Sequence, residues 1–226
     1  LSTQLLGELD AALAAFERDD AVACVVLTGA GDRAFSAGAD IHEMIGLSEE
    51  EQRRRNERRN VYVWRLADYG KPTIGALNGL AYGGAALMVS SLDLRIGCER
   101  TKLRYLGASY GRVNSTWTLP LLVGWPMAKE LLFTGRVVEA DEAVRIGLLN
   151  RLVPSERVLD TALELGGMIA KNDQRMVQGI KRLLHRGVGL GYAERAHLEA
   201  EARETWLRPV PPREGFRDFL ARKGRE

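Results

Sequence analysis

The first segment of the chain carries apolar residues at helical spacing. They lie three or four positions apart, as on one face of a helix: Leu6, Leu9, Leu13 and Phe16. Ser2 and Thr3 precede them as potential N-cap residues. The pattern therefore predicts an amphipathic helix over residues 1–17. Since this helix already begins at Leu1 and not after a Met, we expect further residues upstream, including N-terminal strands.

Three short apolar runs predict buried β-strands. They cover residues 23–27, 73–77 and 92–98, and residues typical of turns, such as Gly, Asn and Asp, stand at their boundaries. Helical patterns lie between the runs. This alternation of strand and helix is typical of an α/β core.

After Pro154 the strand signals stop and long helical patterns follow. These patterns cover residues 158–170, 174–185 and 193–206. A proline-rich segment, 208–213, then separates a last short amphipathic piece from them. We therefore expect an α/β core over residues 1–154 and a helical region over residues 155–226.

Composition narrows the class of protein. The chain has 226 residues, 46% of them hydrophobic, which suffices for one buried core. With 32 basic and 30 acidic residues, its net charge of +2 gives no reason to expect a nucleic-acid or anionic-membrane partner. Cys24 and Cys98 are too few for a disulfide framework, and three scattered histidines predict no metal site. No apolar run reaches the roughly 18 to 20 residues of a membrane span, so we expect a cytoplasmic protein.

Two glycine-rich loops follow predicted strands, at residues 35–41 and 78–87. Small residues allow a ligand to approach the backbone closely. The N–H groups of Ala39 and Gly84 could then converge on one developing oxyanion, and Gly84 would open a helix. Either loop alone is more often a simple turn, but the pair favours a catalytic site.

The two loops resemble the oxyanion-hole loops of the crotonase family, the enoyl-CoA hydratases and isomerases. The resemblance extends over nearly the whole chain, through residues 35–44, 72–93, 122–124, 129–135, 143–153 and 214–223. It implies a ββα spiral fold followed by a C-terminal trimerisation region. It also implies an acyl-CoA thioester as substrate, no separate cofactor, an enolate held by the N–H groups of Ala39 and Gly84, and a homotrimer or a dimer of trimers.

Two positions depart from the pattern of the family's hydratases. Leu87 stands where one catalytic glutamate is expected, and Gly107 stands where we align the other. Hydration needs groups that activate water and protonate carbon, which leucine and glycine cannot supply. A backbone oxyanion hole survives both changes. The sequence therefore favours an acyl-CoA reaction other than hydration, such as decarboxylation or isomerisation, with a catalytically silent acyl-CoA-binding or partner subunit as the alternative.

Several side chains near the loops are candidates for replacing the two expected glutamates or for shaping the site of the acyl group. Tyr82 could donate a hydrogen bond or only pack, and His42 or Glu43 could reach the acyl group or only begin a solvated helix. The resemblance implies a set of substrate-binding positions: Ala37, Asp40, Ile41, Leu87, Gly107, Tyr110, Asn114 and Trp117. Tyr105 and Ser115 occupy the same region, where aromatic residues are usually part of the core. His185 and His197 lie in late helical patterns with arginine neighbours, where surface roles are expected.

A run of charges covers residues 49–59, acidic at its start and arginine-rich at its end. Such a run is most often typical of a solvated helix with intrahelical ion pairs. A contribution to binding the CoA phosphates is the second interpretation. RNA binding is the third, and no aromatic stacking pattern accompanies the arginines to support it.

Overall fold

The computed structural model describes residues 1–223, and within them the chain forms ten α-helices and eight strands. The helices are α1 (Thr3–Arg18), α2 (Glu49–Ala67), α3 (Gly84–Ser90), α4 (Leu119–Thr134), α5 (Ala140–Arg145), α6 (Val158–Ala170), α7 (Gln174–Arg186), α8 (Tyr192–Glu204), α9 (Pro212–Gly215) and α10 (Arg217–Lys223). The strands are β1 (Val25–Thr28), β2 (Ala34–Ser36), β3 (Thr73–Leu77), β4 (Leu80–Tyr82), β5 (Leu94–Gly97), β6 (Lys102–Arg104), β7 (Val137–Glu139) and β8 (Arg151–Leu152).

The strands form two four-stranded sheets, which the chain visits alternately from β1 to β6. One sheet has the order β1-β3-β5-β8 and is parallel throughout. The other has the order β2-β4-β6-β7, in which only β7 runs antiparallel to its neighbour. Each of the first three turns places one strand in each sheet and then adds a helix. The expected α/β class and the ββα spiral are therefore confirmed.

The longer predicted elements lie close to their predicted bounds. The structure places β3 at residues 73–77 and α6 at residues 158–170, as the sequence patterns predict. The strand predicted over residues 92–98 is the shorter β5, residues 94–97. Asp93 lies outside it, and its carboxylate accepts hydrogen bonds from the N–H and hydroxyl of Thr73, at 2.7 and 2.9 Å.

The chain divides into two compact units, with the division after Gln174. Helix α6 belongs to the first unit because it packs against β1, β3 and β5. Its buried Val158 and Ala162 share a core cluster with Ile74 and Ile96. None of the helices formed by residues 1–223 combines the length and apolar character needed to cross a bilayer.

Candidate active site

The two glycine-rich loops begin at neighbouring strand ends. Strands β2 and β4 run parallel, with Ala34 beside Leu80 and Ser36 beside Ala81. Parallel strands present their carboxyl ends at the same edge of a sheet, where α/β proteins commonly bind ligands. The loops after Ser36 and after Tyr82 therefore emerge side by side.

Gly38 holds the first loop in direct contact with the second. Its φ is +100°, a conformation that favours glycine. A Cβ at this position would lie 2.5 Å from the carbonyl oxygen of Tyr82 and 3.4 Å from the nitrogen of Gly84. Only a residue without a side chain allows this approach.

The second loop ends in a buried helix. Gly83 has a φ of +56°, and its N–H donates a 2.8 Å hydrogen bond to the carbonyl of Arg104 in β6. Helix α3 begins at Gly84, as predicted, and every later residue of that helix is buried. The second loop is thus fixed on one side by the sheet and on the other by the core.

The amide nitrogens of Ala39 and Gly84 lie close together. The nitrogen of Ala39 is 3.5 Å from the position that a Cβ on Gly84 would take. Gly84 is the first helical residue, whose N–H has no intrahelical acceptor. Among residues 1–223, no backbone or side-chain group accepts a hydrogen bond from the N–H of Ala39 or Gly84. Both donors can therefore serve a bound oxygen.

Leu87 and Gly107, the two positions at which we expect a departure from the hydratase pattern, lie within packed structure. Leu87 is 6% exposed in α3, one turn after Gly84. Gly107 is buried at a tight turn, in which the N–H of Arg112 donates to the Gly107 carbonyl at 2.8 Å. A Cβ on Gly107 would lie 2.9 Å from the carbonyl oxygen of Arg112. Neither Leu87 nor Gly107 has a side chain that can transfer a proton.

The segment after Ala39 forms turns through residue 46, so the helix start predicted at His42 is wrong. The Asp40 carboxylate caps this turn by accepting from the N–H of His42 at 2.9 Å. Ala37, Ile41 and His42 are exposed. A side-chain hydrogen bond of this kind stabilises a turn in place of a helix.

Glu43 ties the same segment to the start of α1. Its carboxylate accepts from the N–H of Thr3 at 2.9 and 3.1 Å and from the Thr3 hydroxyl at 2.9 Å. These hydrogen bonds lower the pKa of Glu43. The N–H of Asp40 also donates to the carbonyl of Leu1, at 3.2 Å. The first loop is therefore held by contacts with α1 and its start.

The remaining candidates lie at different depths. Tyr82 is half-buried in β4, while Tyr110 is 70% exposed. Trp117 contacts Trp64 of α2, with ring centroids 5.8 Å apart, which places the segment after residue 107 beside α2. Asn114 Oδ1 accepts from the Ser115 hydroxyl at 3.3 Å. Tyr105 belongs to the core, and burial raises its pKa.

The arginine-rich helix has two different faces, a distinction that the charge pattern does not reveal. Near its start, Arg53 and Arg54 are exposed and pair with Glu50 at 2.6 and 2.9 Å. Arg55 is 11% exposed, and its Nη2 lies 3.5 Å from the carbonyl oxygen of Asp40. Arg59 lies one helical turn further on and is half-buried. The only sequence signal for this inner pair is its i, i+4 spacing.

Over most of its length, the chain is similar to proteins of one family, the enoyl-CoA hydratases and isomerases. The family model described as enoyl-CoA hydratase/isomerase matches residues 1–224. A short-chain-enoyl-CoA hydratase of Clostridium acetobutylicum is 36% identical over 89% of this chain and 78% of its own length. A crotonyl-CoA hydratase of Syntrophomonas wolfei is 35% identical over 99% and 87%. The crystal structure of an enoyl-CoA hydratase from Bacillus anthracis superposes with a TM-score of 0.92 at 31% identity, covering 98% of this chain and 87% of that one.

Proposed function

Because the chain belongs to the enoyl-CoA hydratase/isomerase family, we propose that it processes an acyl-CoA thioester through an enolate bound by the N–H groups of Ala39 and Gly84. The observation that carries the proposal is the proximity of these two amides, neither of which has an acceptor among residues 1–223. Preorganised donors of this kind stabilise negative charge as it develops on the thioester oxygen.

The proposed reaction is not ordinary hydration. Adding water to an enoyl thioester requires a group that activates the water and one that protonates the α-carbon. Leu87 and Gly107 stand where the resemblance to hydratases leads us to expect these groups. Among the remaining candidates, the Glu43 carboxylate is engaged by Thr3. The relatives named as hydratases support an acyl-CoA thioester as substrate. Leu87 and Gly107 support a reaction of that thioester other than hydration.

Two reactions need only the oxyanion hole and few side chains. In decarboxylation, the bond between the α-carbon and a carboxyl carbon breaks, CO2 leaves, and the electron pair forms the enolate. A proton then adds to the α-carbon. In isomerisation, one base removes a proton from carbon and a proton returns at another carbon. His42 and Tyr82 are the candidate side chains for such proton transfers, because they lie in or beside the two loops.

The test is to incubate the purified protein with crotonyl-CoA and follow the absorbance of the conjugated thioester. We expect turnover far below that of ordinary hydratases. In parallel, mass spectrometry of 2-carboxyacyl-CoA and 3-enoyl-CoA substrates should reveal a product, and its formation should depend on Gly84. Rapid hydration of crotonyl-CoA would overturn the proposed reaction.

The absence of both carboxylates also favours a second candidate, a silent acyl-CoA-binding or partner subunit. It predicts binding of CoA thioesters in a calorimeter without conversion of any member of the panel. Turnover that is lost on changing Gly84 would exclude it.

We further propose that the chain associates with itself through the second unit, as a trimer or a dimer of trimers. Within that unit, exposed Ile180 and Leu184 line an apolar cavity of 480 Å³ together with Met176 and Leu198. Exposed apolar surface of this kind commonly marks an interface between proteins. Light scattering coupled to size exclusion should give a mass three or six times that of one chain, and a monomeric mass would refute the assembly.

A further inference from the structure

Three arginines from two segments are linked by charge interactions, and one of them, Arg55, lies beside the first loop. Arg55 and Arg59 come from α2, one helical turn apart, and Arg112 comes from the turn after Gly107. Burial and the positive charges of Arg55 and Arg112 lower the pKa of Arg59. We call these three residues the arginine cluster.

Several guanidinium nitrogens of the cluster are both buried and unsatisfied. Arg55 Nε and Nη1 and Arg59 Nε have no hydrogen-bond acceptor among residues 1–223. A buried charged donor without an acceptor is costly, and that cost falls when an anion supplies the missing hydrogen bonds. Most arginines on the outer face of α2, in contrast, have nearby glutamates as partners.

The acidic residues nearest the cluster do not satisfy it. The Glu43 carboxylate lies 3.7 Å from Arg55 Nε, which is an ion pair without a hydrogen bond, and its oxygens already accept from Thr3. The Asp40 carboxylate accepts from the N–H of His42, while Arg55 reaches only the Asp40 carbonyl. The cluster therefore retains donors for a further anion.

The geometry points to a carboxylate on the acyl group of the substrate as the anion that the arginine cluster binds, so we propose that this protein acts on dicarboxylic acyl-CoA thioesters. The inference rests on the proposed function, because it places the thioester oxygen at Ala39 and Gly84. Arginine presents paired N–H groups in a planar fork that matches a carboxylate.

The position of the cluster favours the acyl group over the phosphates of CoA. Arg55 contacts the carbonyl of Asp40, the residue that directly follows the Ala39 donor. Since consecutive Cα atoms are about 3.8 Å apart, the Arg55 guanidinium lies within about 10 Å of that donor. The pantetheine arm separates the thioester from the nearest CoA phosphate by its full length. A carboxylate at the far end of a short acyl chain spans the shorter distance.

The half-buried Arg59 and the exposed Arg112 leave a way for an anion to approach. Arg112 is therefore the outer member of the cluster, and Arg59 is its centre. We expect substitution of Arg59 to have the larger effect on the bound carboxylate. Substitution of Arg112 should have the smaller effect and should also disturb folding less.

The experiment compares glutaryl-CoA with pentanoyl-CoA by calorimetric titration, because the two differ only in a terminal carboxylate against a methyl group. The wild-type protein should bind glutaryl-CoA at least about tenfold more tightly, as expected for charge-assisted hydrogen bonds. Arg59→Gln should abolish this preference and leave the affinity for pentanoyl-CoA unchanged. Arg112→Gln should reduce the preference in part, and it provides a second variant if Arg59→Gln does not fold.

The matched control is Arg54→Gln, which removes an arginine from the exposed face of the same helix. It should leave both affinities unchanged. Equal binding of the two thioesters by the wild-type protein would overturn the inference while leaving the proposed function intact. Equal weakening of glutaryl-CoA, pentanoyl-CoA and free CoA in Arg59→Gln would assign the cluster to the CoA phosphates and also overturn it. Failure of every CoA thioester to bind would refute the proposed function itself.

Discussion

The two loops that supply Ala39 and Gly84 contribute the same chemical group from opposite kinds of surroundings. The second loop is part of the core: Gly83 bonds to β6, and Ala85 onward is buried in α3. The first loop continues into turns with exposed Ile41 and His42, and it is held by Thr3 and by contact with the second loop.

Their glycines differ in the same way. At Gly38 an added Cβ would collide with backbone at 2.5 Å, whereas at Gly84 it would meet atoms at ordinary contact distances of 3.5 Å and more. The close approach of the loops therefore depends on Gly38. Gly84 is needed for the space in front of the donors, since the nearest atom to its added Cβ is the nitrogen of Ala39.

The largest effect is expected from Gly38→Ala. The new Cβ would force the loops apart, and alanine is strained at a φ of +100°. We expect activity on the acyl-CoA substrate to be lost and the free energy of unfolding to fall by more than about 2 kcal/mol. Urea unfolding and turnover measure the two effects.

Gly31→Ala is the matched control for Gly38→Ala. Gly31 also has a positive φ, +77°, but an added Cβ meets nothing within 4 Å. This variant should show only the conformational cost, about 1–2 kcal/mol, with activity retained. Similar loss of activity in both variants would contradict the importance of the contact between the loops.

Gly84→Val should lower turnover with little effect on stability. The side chain would crowd the ligand at the Ala39 nitrogen, and loss of one oxyanion donor typically reduces the rate by a factor of about 100 to 1,000. Steady-state kinetics and thermal unfolding separate the two quantities. Gly167→Val, in α6 where an added Cβ meets nothing within 4 Å, should leave turnover unchanged. Full activity of Gly84→Val would refute the oxyanion mechanism.

Leu87→Glu tests whether helix α3 can accept a glutamate at the position where the resemblance to hydratases leads us to expect one. The carboxylate would enter a position that is 6% exposed, so the free energy of unfolding should fall by more than the roughly 1–3 kcal/mol that burial of a neutral polar group costs. Because position 107, where we expect the second hydratase glutamate, would still be glycine, no hydration of crotonyl-CoA is expected. Leu121→Glu, at a position that is 63% exposed, is the control for stability. Efficient hydration by Leu87→Glu would show that one glutamate suffices.

The smallest effect is expected from Thr3→Val, which removes one tether of the first loop. Without the Thr3 hydroxyl, the pKa of Glu43 should rise toward its ordinary value, as measured by NMR titration of the carboxyl carbon. The pKa of Glu51, lowered by Ser48, is an internal control that should not move.

The difference in stability between the wild-type protein and Thr3→Val should depend on pH. Since the folded-state pKa of Glu43 is lowered, its contribution to stability is present above the unfolded pKa and is lost as pH falls through the folded pKa. The wild-type protein should therefore exceed Thr3→Val in stability at neutral pH by more than it does below the folded pKa. A constant difference across this range would contradict the role assigned to the Glu43 carboxylate.

Sequence patterns located the elements whose identity depends on many successive residues. A short, largely apolar run suffices to predict β3, and the spacing over residues 158–170 predicts α6. The glycine-rich loops, with their resemblance to a known family, also led to Ala39 and Gly84 as the candidate donors. These features are local in the chain, so local pattern and motif identify them.

The tertiary structure decided the features that join distant segments. Strands β2, β4 and β6 have three residues each, too few for an alternation of polar and apolar positions to mark them. Their register nevertheless places Gly38 against Tyr82. Likewise, the charge run favours solvated arginines, whereas packing beside the Asp40 turn leaves the Arg55 side chain 11% exposed and Arg59 half-buried. Burial depends on neighbours far away in sequence, which only the folded chain brings together.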